Sequence, residues 1–521
     1  MPTLHWLTRE TDIKTAANTP YRLLVEEEKH SYPPPHGDYC NLIVQGDNLE
    51  ALKALLPFYA GQVKCIYIDP PYNTGSAFEH YDDNMEHTIW LSIIYPRLEL
   101  LKQFLREDGA IFFQLDDNEQ AYAKIICDEI FGRNNFVTNI VWQKRTSPDN
   151  RLKLGGAQDY ILVYVKNKGV EKDFKQLNVN VNRLKDFKNP DNDPRGPWAS
   201  TDLTGMTGHA TTEQFYTVVS PGGRKFPPPD GRCWALAEVT MRSLIADNRI
   251  WFGKNGKSRP RVKRYLSELE GQNAWSWWTN EEVGHNQEAK KEINILFGPD
   301  NPFDTPKPER LIQRIIHIAT NPGDLVLDSF LGSGTTAAVA HKMGRRYIGI
   351  EMGEQAKTHC AVRLKKVING EQGGISEAVG WKGGGGFRFF KLGEAIFDSE
   401  GRIKNDISFE NLAAHIYFTE TKTPMKKPKN KSAFLGIHND TAYALLYNGI
   451  LGDKSIGGGN VLTHITLNRI MNDIDAASEK KGKSLSYNEL VIYGEATRLA
   501  NVSLKSNNII FKQTPYDIKV W

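Results

Sequence analysis

Short apolar runs alternate with amphipathic stretches through the first third of this 521-residue chain. Residues 63–68 ("VKCIYI") and 109–115 ("GAIFFQL") are almost uniformly apolar over strand length, which is typical of strands buried on both faces. Between them, residues 87–105 ("HTIWLSIIYPRLELLKQFL") carry apolar side chains at helical spacing. Two more strands are predicted at 42–44 and 136–144. Such alternation predicts a parallel α/β sheet.

The alternation stops near residue 145 and returns near residue 295. The interval is rich in Pro, Gly, Asn and Trp, in pieces such as "NPDNDPRGPW". Residues 325–350 then read as strand, Gly-rich turn, helix and strand, which is one βαβ unit with two neighbouring parallel strands. We therefore expect one sheet built from residues 38–144 and 295–390 and interrupted by an insertion at 145–294. Residues 1–37 are predicted to be an N-terminal arm and residues 391–521 a smaller C-terminal α/β domain.

The charge distribution suggests where a polyanion binds. The chain carries a formal charge of only +3, yet residues 144–265 contain 23 Lys and Arg against 12 Asp and Glu, a net of +11. A basic segment between acidic ones favours nucleic-acid binding, although a solvated lysine-rich surface gives the same count. The candidate contacts within this segment are Lys254, Lys257, Arg259 and Arg261.

Cysteine usage and hydropathy limit the compartment. Five cysteines are scattered singly without a CxxC pair, which predicts a reducing compartment and neither a disulfide framework nor a zinc site. The histidines also lack a metal-ligand spacing, so no metal is expected. Because no run of 18 apolar residues and no signal-peptide pattern is present, we expect a cytoplasmic protein that has no membrane span.

The stretch "LDSFLGSGTT" follows a predicted strand and begins a predicted helix, where a Gly-rich loop binds nucleotide-like ligands. It lacks the lysine of a P-loop and is not GxGxxG. The next strand ends at Glu351, 17 residues after Gly334, where an acid can bind ribose hydroxyls. A plain glycine turn with a surface glutamate is the alternative interpretation.

A second strand end carries unusual chemistry. The strand at 63–68 is followed by Asp69, Pro70, Pro71 and Tyr72. Most Asp-Pro steps are simple strand-ending turns. A proline-stiffened turn with a carboxylate, a free carbonyl and an aromatic ring can also hold a planar base by its amino group, and two acceptors favour the nucleophilic geometry of that group.

The two stretches together resemble the DPPY and FxGxG motifs of amino-DNA methyltransferases. Their order, with DPPY first and a basic insertion between them, resembles the β class. Further likeness in "GDNLEAL", "TPKPERL", "GWKGGGGFRFF" and "NNIIFKQTPYD" extends to the modification (Mod) subunits of type III restriction-modification systems. The resemblance implies a Rossmann-like S-adenosylmethionine-dependent methyltransferase sheet in circularly permuted order, with the insertion at 145–294 as target recognition domain.

The resemblance also implies roles for individual residues. Asp69, Pro70, Pro71 and Tyr72 would be catalytic. The implied cofactor residues are Asp47, Lys307, Pro308, Asp328, Phe330, Gly332, Gly334, Thr335 and Glu351. Asp47 can equally be a helix cap, and Pro308 a helix-start proline. Core packing is the favoured role for Trp142 and for the cluster Trp275, Trp277 and Trp278.

The function implied is transfer of a methyl group from S-adenosylmethionine to adenine N6 in duplex DNA by base flipping and direct displacement. The resemblance also implies a homodimer and a restriction (Res) subunit as partner. Cytosine N4 is the alternative target, and a solitary methyltransferase is the alternative context. A 5-methylcytosine enzyme is excluded, since no cysteine follows a proline. A methyltransferase for protein glutamine is disfavoured, because in that family the cofactor motif precedes the (N/D)PPY motif. A non-catalytic DNA-binding module is disfavoured too, because its DPPY or FxGxG motif would be damaged and both are intact here.

Overall fold

The structure is a computed structural model, and it describes residues 3–32, 41–72, 86–147, 153–178, 184–268, 271–298, 303–397, 403–404, 407–423, 425, 432–447, 459–481 and 486–514. The chain divides into two compact units. Unit 1 consists of Met1–Phe174 and Trp275–Trp521, and unit 2 is Lys175–Ala274. None of the described helices has the length and apolar character needed to cross a membrane.

The first segment of unit 1 confirms the predicted alternation of strands and helices. Its elements in chain order are α1 (Arg9–Asn18), β1 (Arg22–Glu26), β2 (Leu42–Gln45), α2 (Asn48–Tyr59), β3 (Val63–Ile68), α3 (His87–Phe104), β4 (Leu105–Leu115), α4 (Gln120–Cys127), β5 (Phe136–Gln143) and β6 (Gln158–Val165). The apolar run of β3 is buried almost throughout, as expected for a strand covered on both faces.

Unit 2 has short strands around a small core of its own. Its elements are β7 (Trp198–Thr201), β8 (Thr204–Met206), β9 (Val218–Val219), β10 (Lys225–Phe226), β11 (Arg232–Trp234), α5 (Glu238–Ala246), β12 (Ile250–Trp251) and β13 (Arg261–Tyr265). Buried Trp234 and Met241 belong to this core. Asp193 is buried and accepts hydrogen bonds from Lys263 at 2.9 Å and Tyr265 at 2.8 Å. A buried ion pair with its hydrogen bonds therefore also belongs to the interior of this unit.

The chain returns to unit 1 with the second half of the sheet. These elements are β14 (Trp277–Trp278), α6 (Asn280–Val283), α7 (Asn286–Phe297), α8 (Glu309–Ala319), β15 (Leu325–Asp328), α9 (Thr335–Lys342), β16 (Arg346–Glu351), α10 (Val362–Ile368) and β17 (Arg388–Ala395). The predicted βαβ unit is therefore confirmed as β15, α9 and β16, and its strands pair in parallel from Leu325↔Arg346 to Asp328↔Gly349.

One ten-stranded sheet collects strands from both segments. Its order is β1-β17-β2-β16-β15-β3-β4-β6-β5-β14. The six strands from β17 to β4 are mutually parallel, while β1 and β6 run antiparallel to their neighbours. Within this set β15 lies beside β3, with Val326 opposite Cys65 and Leu327 opposite Ile66.

The β3–β15 boundary is where the chain changes direction across the sheet. From β3 the chain continues outward to β4, and from β15 it continues outward on the other side to β16. Right-handed crossovers then place the two connections on opposite faces of the sheet and open a crevice at the carboxyl ends of both strands. The sheet order therefore identifies the edge above β3 and β15 as the place for a ligand.

The predicted insertion at 145–294 has the wrong limits, because parts of it belong to the sheet. β6 pairs with β4 and β5 along its length, and β14 pairs with β5. The separate unit is the shorter stretch Lys175–Ala274. The apolar run of β6 does not stand out as a strand in the sequence, because residues typical of turns on both sides of it dominate the composition of the segment.

The predicted boundaries at 37 and 390 also cut through the sheet. β1, from the predicted arm, pairs with β17, which continues to Ala395. After it come α11 (Phe409–Thr421), β18 (Phe434–His438), β19 (Thr441–Leu445), β20 (Val461–Leu462), α12 (His464–Lys481), β21 (Glu489–Gly494), β22 (Ala496–Thr497), α13 (Asn501–Ser506) and β23 (Ile509–Gln513). A second sheet, β18-β19-β21-β23, lies in this part of the chain. Buried Ile416 on α11, however, belongs to the same core cluster as Leu52 on α2.

We expect Ile416→Ala to destabilise the main sheet and not only the tail. Ile416 is fully buried in the core shared with α2, so its truncation leaves a cavity that costs about 2–5 kcal/mol. The matched control is Ile465→Ala, because Ile465 is 82% exposed. Urea unfolding should show a lower midpoint for the main transition in the first variant alone. An unchanged main transition would mean that the tail is an independent domain after all.

Candidate active site

The ends of β3 and β15 form one cavity of about 310 Å³. Neighbouring parallel strands end at the same edge, so the turn after Ile68 and the loop after Asp328 face each other although they are far apart in sequence. The residues lining the cavity are Tyr67, Asp69, Pro70, Pro71, Tyr72, Lys144, Arg145, Asp159, Asn286, Phe303, Thr305, Pro306, Lys307, Asp328, Phe330, Leu331, Gly332, Ser333, Thr335 and Thr336. Residues of both motifs therefore line one cavity.

The proline turn after β3 is held rigid by two contacts. The Tyr72 hydroxyl donates a hydrogen bond to Asp69 Oδ1 within the turn. The indole of Trp90, on α3, donates to the Pro71 carbonyl at 2.8 Å. Prolines fix φ and have no N–H to donate to a neighbouring strand. The Asp69 carboxylate and the Pro70 carbonyl therefore lie outside the backbone hydrogen bonds of the sheet. A carboxylate and an aromatic ring are thereby fixed at the cavity wall.

Lys307 connects the turn to the segment before α8. Its ammonium forms an ion pair with Asp69 Oδ2 and lies 5.5 Å from the centre of the Tyr72 ring. Both oxygens of Asp69 therefore already accept a hydrogen bond, although each has a second lone pair for another donor. The geometry places Lys307 on the DPPY turn, a contact that sequence reasoning did not anticipate.

Asp159, on β6, is a site residue that the sequence prediction missed. It is 1% exposed, pairs with Lys144, and accepts from Gln114 Nε2 at 3.1 Å. Burial raises the pKa of Asp159, and the charges of Lys144 and Lys307 partly offset that effect. The Tyr72 hydroxyl lies 3.4 Å from Asp159 Oδ2, so this carboxylate supports the turn from behind. A carboxylate opening the apolar run "QDYILVYV" was the available signal.

The Gly-rich loop is shaped by two carboxylates. Asp328 accepts from the Phe330 N–H at 2.9 Å and from Thr336 Oγ1 at 2.6 Å. Glu351 accepts from the Gly332 N–H at 2.8 Å and from the Gly353 N–H at 3.2 Å. Burial raises the pKa of Asp328 to about 7, and the negative charges of Asp69 and Glu351 act in the same direction. The loop thus presents a protonatable carboxyl group at the cavity.

Two glycines allow the sharp course of this loop. Gly332 and Gly334 have φ values of 56° and 82°, which other residues rarely adopt. A Cβ on Gly332 would lie 3.3 Å from the Phe303 ring, and one on Gly334 would lie 3.2 Å from Cys360 Cα. Gly334 immediately precedes α9, whose free N-terminal N–H groups lie at this end of the loop. Replacing either glycine would strain the loop and crowd its neighbours.

A buried charge network supports the loop from below. Glu309, the first residue of α8, is 1% exposed and pairs with Lys342 and Arg363, each at 2.8 Å. Arg363 Nη1 also donates to Thr335 Oγ1 at 2.8 Å, which links the network to the first turn of α9. Although burial raises it, Arg363 and Lys342 hold the pKa of Glu309 below its usual value. Glu309 stands in "TPKPERL" beside the predicted residues Lys307 and Pro308, but its partners are distant in the sequence.

Not every predicted site residue lines the cavity. Asp47 accepts a hydrogen bond from the Leu49 N–H at 2.9 Å and so caps α2, which is the alternative role given above for this residue. Its other carboxylate oxygen pairs with Arg97 at 2.8 Å. Pro308 immediately precedes the first residue of α8. Glu351 and Gly334 also lie outside the set of lining residues and shape the loop instead. The predicted contact between Glu351 and ribose stays a prediction.

The tryptophans and the basic residues are placed as follows. Trp142 is fully buried and donates to the Gly284 carbonyl at 3.0 Å, as core packing requires. Packing is also right for Trp278 but wrong for Trp275 and Trp277, which are 76% and 54% exposed. Trp277 lies on β14, an edge strand of only two residues, and Trp275 precedes that strand. In unit 2 the four candidate DNA contacts are exposed on the β12–β13 connection and the start of β13: Lys254, Lys257, Arg259 and Arg261.

The described residues contain no group of three or more His, Cys, Asp or Glu side chains arranged to hold a metal ion.

Comparison with known proteins agrees with the two-motif site. The Mod subunit of the type III restriction-modification enzyme StyLTI from Salmonella typhimurium (strain LT2) is 36% identical over 354 residues, which is 62% of this chain and 53% of that protein. The EcoP15I Mod subunit from Escherichia coli is 28% identical over 424 residues, covering 68% and 65% of the two chains. The predicted resemblance to Mod subunits is confirmed, and the chain spans about half the length of the StyLTI protein.

The family model described as a DNA methylase, N6_N4_Mtase, matches residues 63–362. That span is more than half of the chain and contains the proline turn, the Gly-rich loop and Glu351. The chain therefore belongs to the N6_N4_Mtase DNA methylase family.

Proposed function

We propose that this chain methylates adenine N6 in duplex DNA with S-adenosylmethionine as methyl donor. The observation that carries the proposal is the single cavity between the DPPY turn of β3 and the Gly-rich loop of β15. The similar Mod subunits support a role as modification subunit of a restriction-modification system that acts on DNA together with a restriction subunit. A homodimer is part of the proposal as an implication of the resemblance alone. A cytoplasmic location suits the four described cysteines, which are all free and buried.

The residues on the β15 side fit the proposed cofactor. Asp328 offers a buried carboxyl group for an amino group, the loop at Gly332 offers backbone room, and Phe303 and Phe330 offer rings at the cavity wall. The Lys307 ammonium pairs with Asp69 and has further N–H donors for a ligand carboxylate, and Glu351 supports the loop beneath. When bound, S-adenosylmethionine supplies a methyl group activated by a sulfonium. The chain's own contribution is to orient that group towards the proline turn.

The residues on the β3 side fit the amino group of a base that has left the duplex. The lone pair of adenine N6 is delocalised into its ring, so N6 is a weak nucleophile. Asp69 and the Pro70 carbonyl would accept its two hydrogens and favour a pyramidal nitrogen, while the Tyr72 ring stacks on the base. One proton leaves N6 during direct displacement, and the Asp69 carboxylate is placed to accept it. No covalent enzyme intermediate is needed.

Asp69→Ala should lower methylation by about 10²-fold or more, the usual contribution of a proton-handling group. DNA affinity should change little, because the loss concerns mainly the transition state. Digested product DNA analysed by mass spectrometry gives both the rate and the methylated base. Asp117→Ala is the matched control, since Asp117 is exposed and lies outside the cavity lining.

Each result of that experiment has a definite meaning. Loss of N6-methyladenine in Asp69→Ala but not in Asp117→Ala supports the proposed mechanism. Full activity of Asp69→Ala would refute it. N4-methylcytosine as the product would show that the target base is wrong but leave the chemistry at Asp69 standing.

Cofactor affinity should depend on pH through Asp328. With the pKa of its carboxyl group raised to about 7 in the empty site, the group is neutral at lower pH and must ionise to pair with a cationic amino group. Affinity for S-adenosylhomocysteine should therefore fall roughly tenfold per pH unit as the pH drops from 7 to 5. Calorimetry at several pH values measures this dependence. Asp328→Asn should bind weakly with the dependence removed, and the same slope in that variant would exclude Asp328 as its cause.

Unit 2 is proposed as the target recognition domain, because the candidate DNA contacts lie there. The unit carries 16 Lys and Arg against 10 Asp and Glu. DNA affinity should fall with salt by about 0.9 log units per contacted phosphate for each tenfold increase. Changing Lys254, Lys257, Arg259 and Arg261 together to Gln should flatten that slope by about 0.9 for each phosphate that the variant no longer neutralises.

The control for that experiment removes the same charge from unit 1. Four exposed lysines outside the cavity serve for this purpose: Lys14, Lys29, Lys168 and Lys382. Fluorescence anisotropy with a labelled duplex, repeated over a salt series, gives both slopes. Equal slopes for the two quadruple variants would mean that the basic face of unit 2 is merely solvated.

A further inference from the structure

A groove of about 430 Å³ opens directly beside the candidate active site. It shares with the cavity the lining residues Lys144, Arg145, Asn286, Thr305 and Pro306. Its additional lining residues are Thr146, Ser147, Gln287, Lys290 and Asp304. All of them belong to unit 1. The groove is therefore a continuation of the cavity towards the surface, built on the end of β5 and the start of α7.

The groove has the composition of an anion site. Arg145 and Lys290 are exposed, and within the described residues neither forms an ion pair with a carboxylate. Neighbouring cations behave differently, because Lys144 pairs with Asp159 and Arg310 pairs with Glu288. Among the described residues that line the groove, Asp304 is the one carboxylate. Two cations at the mouth of the cavity are thus available to a ligand.

Uncharged donors add to the two cations. The side-chain amides of Asn286 and Gln287, in the first turn of the twelve-residue helix α7, line the groove. The backbone N–H groups of Asn286 and Glu288 already donate to the Lys144 carbonyl and to His285 Nδ1, so the donors that this turn offers are its side chains. The exposed residues Thr146 and Ser147 add hydroxyl groups to the same groove. A phosphodiester is bound by donors of these types.

We propose that this groove binds the backbone phosphates on either side of the extruded nucleotide. The inference rests on the proposed function: a base held between Asp69 and Tyr72 remains covalently attached to its sugar and to two phosphates, which must lie where the cavity opens. The groove continues from that opening and presents Arg145 and Lys290. Unit 1 then binds the target nucleotide directly. These contacts are independent of the DNA sequence and separate from those proposed for unit 2.

The test compares two small ligands that differ only in their phosphates. In the full chain with S-adenosylhomocysteine present, NMR titration measures the dissociation constants of 2′-deoxyadenosine and of its 3′,5′-bisphosphate. The bisphosphate should bind wild-type protein roughly tenfold or more tightly, as expected for charge-assisted contacts. The double variant Arg145→Gln, Lys290→Gln should lose that advantage and keep its affinity for the nucleoside. Lys14→Gln, Lys382→Gln is the matched control and should behave as wild type.

The outcomes separate this inference from the proposed function. Nucleoside binding without a bisphosphate advantage, or an advantage retained in the Arg145 and Lys290 variant, overturns the phosphate groove and leaves the methyltransferase proposal intact. If neither ligand binds, the groove proposal also fails, and the product assay on DNA then decides whether the proposed function fails with it. Equal competition by inorganic phosphate and by the bisphosphate would show a free-phosphate site and would likewise overturn a site for the nucleotide backbone.

Discussion

The candidate active site exists because β3 pairs in parallel with β15. The two strands come from opposite sides of unit 2 in the sequence, and only their adjacency brings the Asp69 turn and the Asp328 loop to the same edge. Because the sheet extends away from this pair in both directions, the connecting segments leave a crevice above it. An insertion between the two segments is compatible with this sheet as long as β3 and β15 still pair. Unit 2 occupies that position in the sequence.

The cavity above this pair balances buried charges against one another. Asp69, Asp159 and Asp328 surround it, and Lys144 and Lys307 neutralise the first two. Asp328 has hydrogen bonds but no ion pair among the described residues, and burial raises its pKa to about 7. An uncompensated acid beside the Gly-rich loop is suited to a cationic ligand, since the ligand itself then supplies the missing charge. The pairs at Asp69 and Asp159 instead keep the proline turn in place before any ligand arrives.

The sequence predicts the parts of the site that depend on local chemistry. A proline-stiffened turn after an apolar run and a Gly-rich turn before a helix are both visible in single short stretches, and both stretches contribute residues to the cavity wall as expected. Asp159 and Glu309 were missed because their importance comes from distant partners: Lys144 and Tyr72 for the first, and Lys342 and Arg363 for the second. The apolar run that follows Asp159 indicates burial, but no local pattern identifies the partners of either carboxylate. The domain limits failed for a related reason, since β6 and α11 are defined by what they pack against rather than by the composition around them.

Under the proposed function, cofactor and target base meet in the cavity between β3 and β15. A crystal structure of the chain bound to S-adenosylhomocysteine would show whether they do. We predict that the ligand's amino group lies at Asp328 and that its sulfur faces the Asp69 turn across the cavity. Electron density for the ligand outside this cavity, or a sulfur directed away from Asp69, would contradict the claim.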